Sequence, residues 1–323
     1  MKNSERTLKE ILNLLDSLTT DEIKKLLCLE KRRRGVKEND LVFLGTANIA
    51  SYYWCSAKSL YTSIEDEPRF FHVYLIDRII YSFKLNRLRT IPTSYEELLE
   101  IGNDIEFDDI TKLLKQEIEQ SESQATTNPH KGISTITTVD KNGNKVILIN
   151  PYLPEDELHF WIEYAREENI RIVDLKEAPP ITRGMLLETI HAEQYPTIRW
   201  NYAWDKYVII SAPDGITDKF VYEFKTTKSR FMMPFIKPVA FTQADLYGYF
   251  YKRKEKRVQI YVVEENETLT WTLNVDVNNV KSVLEKFKAM DNGTIPPPPK
   301  VWKCKSCEFN DICIIKKKKN KTN

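Results

Sequence analysis

The chain has 323 residues, of which 48 are basic and 47 acidic, so its formal net charge is only +1. Hydrophobic side chains make up 41% of it, and glycine and proline number 9 and 15. This composition predicts a globular chain with a sizeable core and excludes collagen, low-complexity disorder and a uniformly basic nucleic-acid coat. No run approaches about 18 uninterrupted apolar residues, so we expect no membrane-spanning helix. The first residues lack the apolar stretch of a signal peptide, which favours a cytoplasmic protein without a membrane partner.

The first third of the chain has helical periodicity. Apolar residues recur near every 3.6 positions, which predicts helices over residues 8–15, 22–31, 47–61, 70–83 and 95–120. Residues 94–123 carry ten acidic and two basic side chains, whereas residues 31–34 and 316–319 are basic runs. We interpret these charged runs as solvated faces or tails.

A hairpin is predicted in the middle of the chain. Residues 121–134 are rich in Ser, Thr, Asn, Gly and Pro and predict a loop. After them Asn142-Gly143 separates two β-type runs, residues 135–139 and 145–149, which is a strong hairpin signal. A helix over 154–168 and a strand over 171–175 follow.

From Thr182 the pattern indicates a compact α/β unit. Helices are predicted over 183–192, 241–251 and 277–290, and strands over 206–211, 220–224, 258–263 and 269–274. We expect the strands over 206–211 and 220–224 to pair. We therefore predict four segments: a helical region 1–61, a helical and hairpin insertion 62–181, an α/β core 182–295 and a cysteine-rich end 296–323.

Two carboxylates and a lysine form the most informative pattern in the α/β core. Asp214 lies at a turn after an apolar strand, and Glu223 and Lys225 lie two residues apart on the next strand. Residues i and i+2 of a strand share a face, so these side chains are expected to converge. Carboxylate oxygens hold Mg²⁺ or Mn²⁺, the ion activates water, and a lysine stabilises the phosphate or the water. The set therefore points to phosphodiester hydrolysis.

Three more side chains fit such a site. Gln243 and Tyr247 are one helical turn apart and can face the same cleft. His191 is a plausible nitrogen ligand, which would favour Mn²⁺, although Glu188 and Glu193 offer oxygen ligands nearby. Taken singly, Glu-x-Lys is usually a surface ion pair and Pro-Asp-Gly an ordinary turn. The ordered set is much less expected by chance.

Three cysteines crowd into ten residues near the end of the sequence: Cys304, Cys307 and Cys313. In a cytosolic chain this clustering favours metal or cluster ligation over disulfides, and Cys-x-x-Cys suits zinc and iron–sulfur equally. The fourth ligand would be Cys55 or Cys28. The alternative is a short zinc knuckle completed by water or Cys28.

Together these motifs resemble the RecB-like PD-(D/E)xK nucleases that hold an iron–sulfur cluster. They are most similar to the CRISPR-associated RecB-like exonucleases, the fourth numbered Cas family. The match covers residues 43–61 loosely and 182–313 well. It implies a restriction-endonuclease-like α/β fold, a mixed sheet flanked by helices, with a helical N-terminal region and a C-terminal iron–sulfur module.

The resemblance also implies the roles of the site residues and the partners. The [4Fe–4S] ligands would be Cys55, Cys304, Cys307 and Cys313. The Mn²⁺ or Mg²⁺ ligands would be His191, Asp214 and Glu223, and the catalytic set would be Asp214, Glu223, Lys225, Gln243 and Tyr247. The substrate would be DNA, single-stranded or with frayed ends, and the partner a CRISPR integrase or a helicase. Two competing functions are a catalytically silent nucleic-acid-binding subunit and an iron–sulfur electron-transfer protein.

Overall fold

The computed structural model describes residues 42–84, 134–140, 142–192, 195–305 and 307–313. The helices predicted over 8–15, 22–31 and 95–120, nearly all of the loop over 121–134 and both basic runs lie outside the described residues. The chain forms two compact units. The described part of the first unit is residues 42–84, 199–212, 281–305 and 307–313, and that of the second is 134–140, 142–192, 195–198 and 213–280.

Strands and helices alternate along the described residues. The strands are β1 (Val42–Gly45), β2 (Thr135–Val139), β3 (Lys145–Ile149), β4 (Arg171–Val173), β5 (Trp200–Trp204), β6 (Tyr207–Ser211), β7 (Gly215–Ile216), β8 (Phe220–Thr227), β9 (Glu255–Val262) and β10 (Glu267–Asn274). The helices are α1 (Thr46–Ala50), α2 (Ser56–Lys84), α3 (Glu155–Glu167), α4 (Pro180–Ala192), α5 (Met233–Phe250) and α6 (Val277–Asp291). Short 3₁₀ turns span Ser51–Tyr53, Arg230–Met232 and Val301–Cys304.

The core of the first unit lies between a three-stranded sheet and α2. The sheet has the order β1-β6-β5, with β1 parallel and β5 antiparallel to β6. Phe43 of β1 is fully buried, and its ring centroid lies 4.9 Å from that of Phe71 and 5.3 Å from that of Tyr74, both on α2. Phe71 and Tyr74 therefore belong to this core.

The second unit contains two sheets. The larger has the order β10-β9-β8-β7, in which β8 and β9 are parallel and the other neighbours antiparallel. The strand β7 is so short that it pairs with only two residues of β8, Val221 and Tyr222. The smaller sheet has the order β2-β3-β4 and buries its own apolar side chains against α3.

Helices pack on both faces of the larger sheet. Tyr222 and Phe224 of β8 pack with Leu187 of α4. Val258 and Ile260 of β9 pack with α5, and they lie beside Glu223 and Lys225 in the parallel register. Because side chains alternate along a strand, Glu223 and Lys225 share the face that α5 covers.

The mixed α/β architecture agrees with the sequence prediction, and the hairpin over residues 135–149 is confirmed. Gly143 has a positive φ of 83°, which the tight turn after Asn142 requires. The predicted pairing of residues 206–211 with 220–224 is wrong, since β6 pairs with β1 and β5, whereas β8 pairs with β7 and β9.

Three short strands, β1, β5 and β7, were not predicted. The helix predicted over 47–61 is divided into α1, a 3₁₀ turn and the start of α2, and α2 continues through the separately predicted helix over 70–83. The predicted segment boundary after residue 61 falls inside α2; the four-segment division stays a prediction. None of the described helices combines the length and hydropathy that a membrane crossing requires.

Candidate functional site

The β7–β8 hairpin positions Asp214. This residue directly precedes β7, and its Oδ2 accepts a 2.7 Å hydrogen bond from the backbone N–H of Phe224. Because β7 pairs with β8 only at Val221 and Tyr222, the carboxylate takes the place of the next strand residue as the acceptor. The side chain is thereby held beside Glu223.

Glu223 is the most deeply buried acid of the site, with 0% of its surface exposed. Its carboxylate forms an ion pair with Lys225 Nζ, yet neither oxygen accepts a hydrogen bond of ordinary geometry from the described residues. Burial raises the pKa of Glu223 well above its usual value, the charge of Asp214 raises it further, and Lys225 offsets part of the rise. An ionised Glu223 thus needs more positive charge than Lys225 alone provides.

Lys225 projects from the same face of β8, with 29% of its side chain exposed. Burial by itself would lower the pKa of Lys225. The carboxylates of Glu223, Asp214 and Glu188 outweigh that effect and raise the pKa overall. The ammonium group is therefore charged near neutral pH.

A third carboxyl group reaches the site from α4. Glu188 forms a side-chain hydrogen bond with Asp214, and its pKa is raised to about 7. Partial burial of the carboxyl group is the main cause, the charge of Asp214 adds to it, and Lys225 acts in the opposite direction. Much of the remaining Glu188 side chain is exposed to solvent. A proton held by Glu188 relieves its repulsion with the neighbouring carboxylate.

Gln243 and Tyr247 lie on α5, and both are buried. Gln243 Nε2 donates a 2.9 Å hydrogen bond to the Tyr247 hydroxyl, so the phenolic proton is not used in this bond. Burial raises the pKa of Tyr247 well above its usual value, and the charges of Glu223 and Asp214 add to that rise. The structure therefore brings this pair to the carboxylates.

His191 has a different setting from Glu188, although both lie on α4. Its ring stacks on Phe224 with the centroids 4.6 Å apart, and it lies 6.1 Å from the ring of Tyr261. Burial lowers the pKa of His191, which favours the neutral imidazole. The sequence resemblance implies His191 as the ligand, with Glu188 and Glu193 as nearby alternatives, of which Glu193 lies outside the described residues. The signal for Glu188 in the sequence is its position directly after the apolar Leu186-Leu187 pair.

The donor set is suited to a divalent cation. In the described part of the chain no three His, Cys, Asp or Glu side chains are arranged as a ready-made metal site. The two buried oxygens of Glu223 nevertheless lie with Asp214 in a cluster of hard oxygen ligands, which Mg²⁺ and Mn²⁺ prefer. The residues present therefore fit such an ion.

The cysteines lie in the first unit. Cys55, Cys304, Cys307 and Cys313 are free and half-buried, and all four line one cavity of about 300 Å³. Burial is the main reason that the pKa of Cys55 is raised, and the nearby Cys307 and Cys313 thiols contribute. Cys28 lies outside the described residues. Four soft donors around one cavity, contributed by distant parts of the chain, fit a thiolate-bound cluster.

Comparisons with known proteins provide little further information. No protein-family model matches the chain, and no curated protein is significantly similar to it. Among solved structures, SSO0001 is similar at a TM-score of 0.33 and 20% identity, covering 48% of this chain and 80% of that one. An alkaline exonuclease, LHK-Exo from Laribacter hongkongensis, is similar at 0.25 and 15%, covering 43% and 83%. With TM-scores this low, neither establishes the fold or the activity of this chain.

Proposed function

We propose that the chain is a metal-dependent DNA exonuclease that hydrolyses phosphodiester bonds at the Asp214–Glu223–Lys225 cluster. The observation that carries the proposal is the Glu223 carboxylate, which is completely buried beside the acid Asp214 and is paired with the Lys225 ammonium. A buried ionised carboxylate is unfavourable unless a cation or donors compensate it. A divalent cation bound at the site would compensate the buried carboxylate, and it would also attract an anionic phosphate.

Each side chain has a distinct role in this proposal. Asp214 and Glu223 hold Mn²⁺ or Mg²⁺, with Glu188 or His191 as the further ligand from α4. The ion, when bound, polarises water and offsets charge on the phosphate. Lys225 holds its proton and stabilises the negative charge that develops as water adds to phosphorus and the ester P–O bond breaks. Gln243 orients the Tyr247 hydroxyl, which stays protonated and can donate to a phosphate oxygen.

We further propose that Cys55, Cys304, Cys307 and Cys313 hold a [4Fe–4S] cluster. The common cavity of the four thiols supports this, as do the contacts between the two chain regions that provide them. Lys58 forms a 2.8 Å ion pair with Glu308, and the ring of Tyr61 stacks on Phe309 at 5.2 Å. The cluster would link the start of α2 to the cysteine-rich end.

The substrate and partner proposals depend on the sequence resemblance. We propose DNA with single-stranded or frayed ends as the substrate. A CRISPR integrase or a helicase is the proposed partner, in the processing of DNA ends during CRISPR adaptation or recombination.

The decisive experiment compares end-labelled single-stranded DNA degradation by the wild type, Glu223→Gln and Lys225→Met, each with Mn²⁺, Mg²⁺ or chelator. We expect both variants to lose about 10²–10⁴-fold in rate, because one removes a metal ligand and the other the charge that stabilises the transition state. Lys228→Met is the matched control, since Lys228 is exposed and its 3.8 Å ion pair with Glu264 is weak. Equal degradation by wild type and Glu223→Gln would indicate a contaminating nuclease and favour the catalytically silent binding subunit.

A further inference from the structure

Two tryptophans beside the cysteine cavity are held by one lysine. The ring centroids of Trp54 and Trp302 lie 5.7 Å apart at an interplanar angle of 86°. Lys303 Nζ lies 4.3 Å from the Trp54 ring centroid and 5.7 Å from that of Trp302, and it donates a 2.7 Å hydrogen bond to the Trp54 carbonyl oxygen. The pair is therefore fixed by an edge-to-face contact, two cation–π contacts and a hydrogen bond.

Trp302 presents part of its ring system to solvent, with 40% of its surface exposed. A single exposed aromatic residue is ordinary in a folded protein. Here, however, Lys303 lies against the ring and donates a hydrogen bond to the Trp54 carbonyl oxygen, so it connects the two tryptophans. Because these contacts already order the indole, the Trp302 side chain loses little further conformational entropy when a ligand stacks on it.

The surroundings of Trp302 are basic. Residues 300–305 read Lys-Val-Trp-Lys-Cys-Lys, with three lysines and no acid, and Lys300 and Lys305 are exposed. The nearest acid in sequence, Glu308, is engaged by Lys58. We call Trp54, Trp302, Lys300, Lys303 and Lys305 the tryptophan–lysine platform. A partly exposed indole next to lysines is a combination with which proteins bind single-stranded nucleic acids.

We propose that the tryptophan–lysine platform binds single-stranded DNA, with one base stacked on Trp302 and the neighbouring phosphates near Lys300 and Lys305. This inference rests on the proposed function for its choice of DNA. It adds a binding surface for the single strand that lies outside the carboxylate cluster. A duplex is a poorer ligand, because its base faces are already covered by neighbouring bases and each extruded base costs unstacking energy.

The experiment measures fluorescence anisotropy of a labelled oligothymidylate with the full chain in chelator, so that no cleavage occurs. We expect Trp302→Ala to weaken binding at least about tenfold, Trp302→Phe to retain most of it and Val301→Ala to bind as the wild type does. Val301 is the matched control because it is the adjacent residue, 68% exposed and without an aromatic ring. A blunt duplex of the same length should bind more weakly to the wild type and lose less on Trp302→Ala.

A second variant set keeps the test decisive if Trp302→Ala folds poorly. Lys300→Ala and Lys305→Ala should each reduce the slope of log affinity against log salt by about 0.7, the value for one phosphate contact on a single strand. Wild-type affinity and salt slope in all these variants would overturn the inference. If binding depends on Trp302 but no cleavage occurs, only the nuclease proposal is wrong. If cleavage occurs and Trp302→Ala binds DNA as the wild type does, only the platform proposal is wrong.

Discussion

The backbone N–H of Phe224 donates to Oδ2 of Asp214 at 2.7 Å, where the pairing of β7 with β8 has already ended. One carboxylate oxygen of Asp214 thus has a structural role, because it satisfies a main-chain donor of the strand that carries Glu223 and Lys225. The same aspartate therefore stabilises the β7–β8 hairpin and contributes a carboxylate to the candidate site.

Comparing Asp214→Asn with Asp214→Ala should therefore distinguish the contribution of Asp214 to folding stability from its contribution to cleavage. Both variants remove the charge that raises the pKa values of Glu188 and Glu223, but only Asn keeps an oxygen for the Phe224 N–H. We expect the Ala variant to be less stable than the Asn variant by about 1–3 kcal/mol, the cost of an unsatisfied donor. Urea unfolding in chelator measures this, and both variants should lose cleavage. Equal stability of the two would show that the bond contributes nothing.

The second prediction concerns which residue of α4 serves the metal. Glu188 hydrogen-bonds Asp214, whereas the His191 ring stacks on Phe224. Glu188→Gln should weaken Mn²⁺ binding about 10–100-fold, because it removes a carboxylate from the cluster. His191→Phe, which preserves an aromatic ring on Phe224, should change it by much less. Titration calorimetry with Mn²⁺ makes the comparison.

Glu163→Gln is the control for that pair, since Glu163 is an exposed acid on α3. The opposite ranking, a large loss in His191→Phe and none in Glu188→Gln, would make the histidine the metal ligand that the sequence resemblance implies.

Local patterns were enough to predict much of the second unit. The Asn142-Gly143 turn determines the β2–β3 hairpin, and the two-residue spacing of Glu223 and Lys225 places both on one face. Local patterns do not predict which strands pair with β6. Phe43 of β1 lies opposite Val208, about 165 positions away, and no local signal identifies so distant a partner.

The choice between Glu188 and His191 also depends on long-range structure. The two residues are three positions apart on α4, so helical periodicity places them on neighbouring parts of one face. The difference lies in their tertiary contacts, since Glu188 interacts with Asp214 directly before β7, whereas His191 stacks on Phe224 of β8. These partners lie more than 20 positions from α4 in the sequence, so the helical pattern alone does not identify them.

The third prediction tests the cysteine cavity. The protein purified without oxygen should be brown, with a broad absorbance near about 400 nm, if four thiolates hold an iron–sulfur cluster. Cys55→Ser should lose iron, because Cys55 lines the same cavity as the three late cysteines. Cys28→Ser is the matched control and should retain it. A colourless protein with one zinc per chain would replace the cluster with a zinc site.

The fourth prediction concerns a buried ion pair on the opposite side of α5 from Gln243 and Tyr247. Asp245 and Lys256 are nearly fully buried, and Asp245 accepts an ion-pair bond from Lys256, a 2.7 Å bond from the Asp276 N–H and a 2.9 Å bond from Asn279 Nδ2. Asp245→Ala should lower the free energy of unfolding by about 3–5 kcal/mol, because it leaves a buried ammonium and two donors uncompensated. Asp245→Asn keeps an acceptor and should lose less. Denaturant unfolding measures both, and a loss below about 1 kcal/mol in Asp245→Ala would mean that water reaches Lys256.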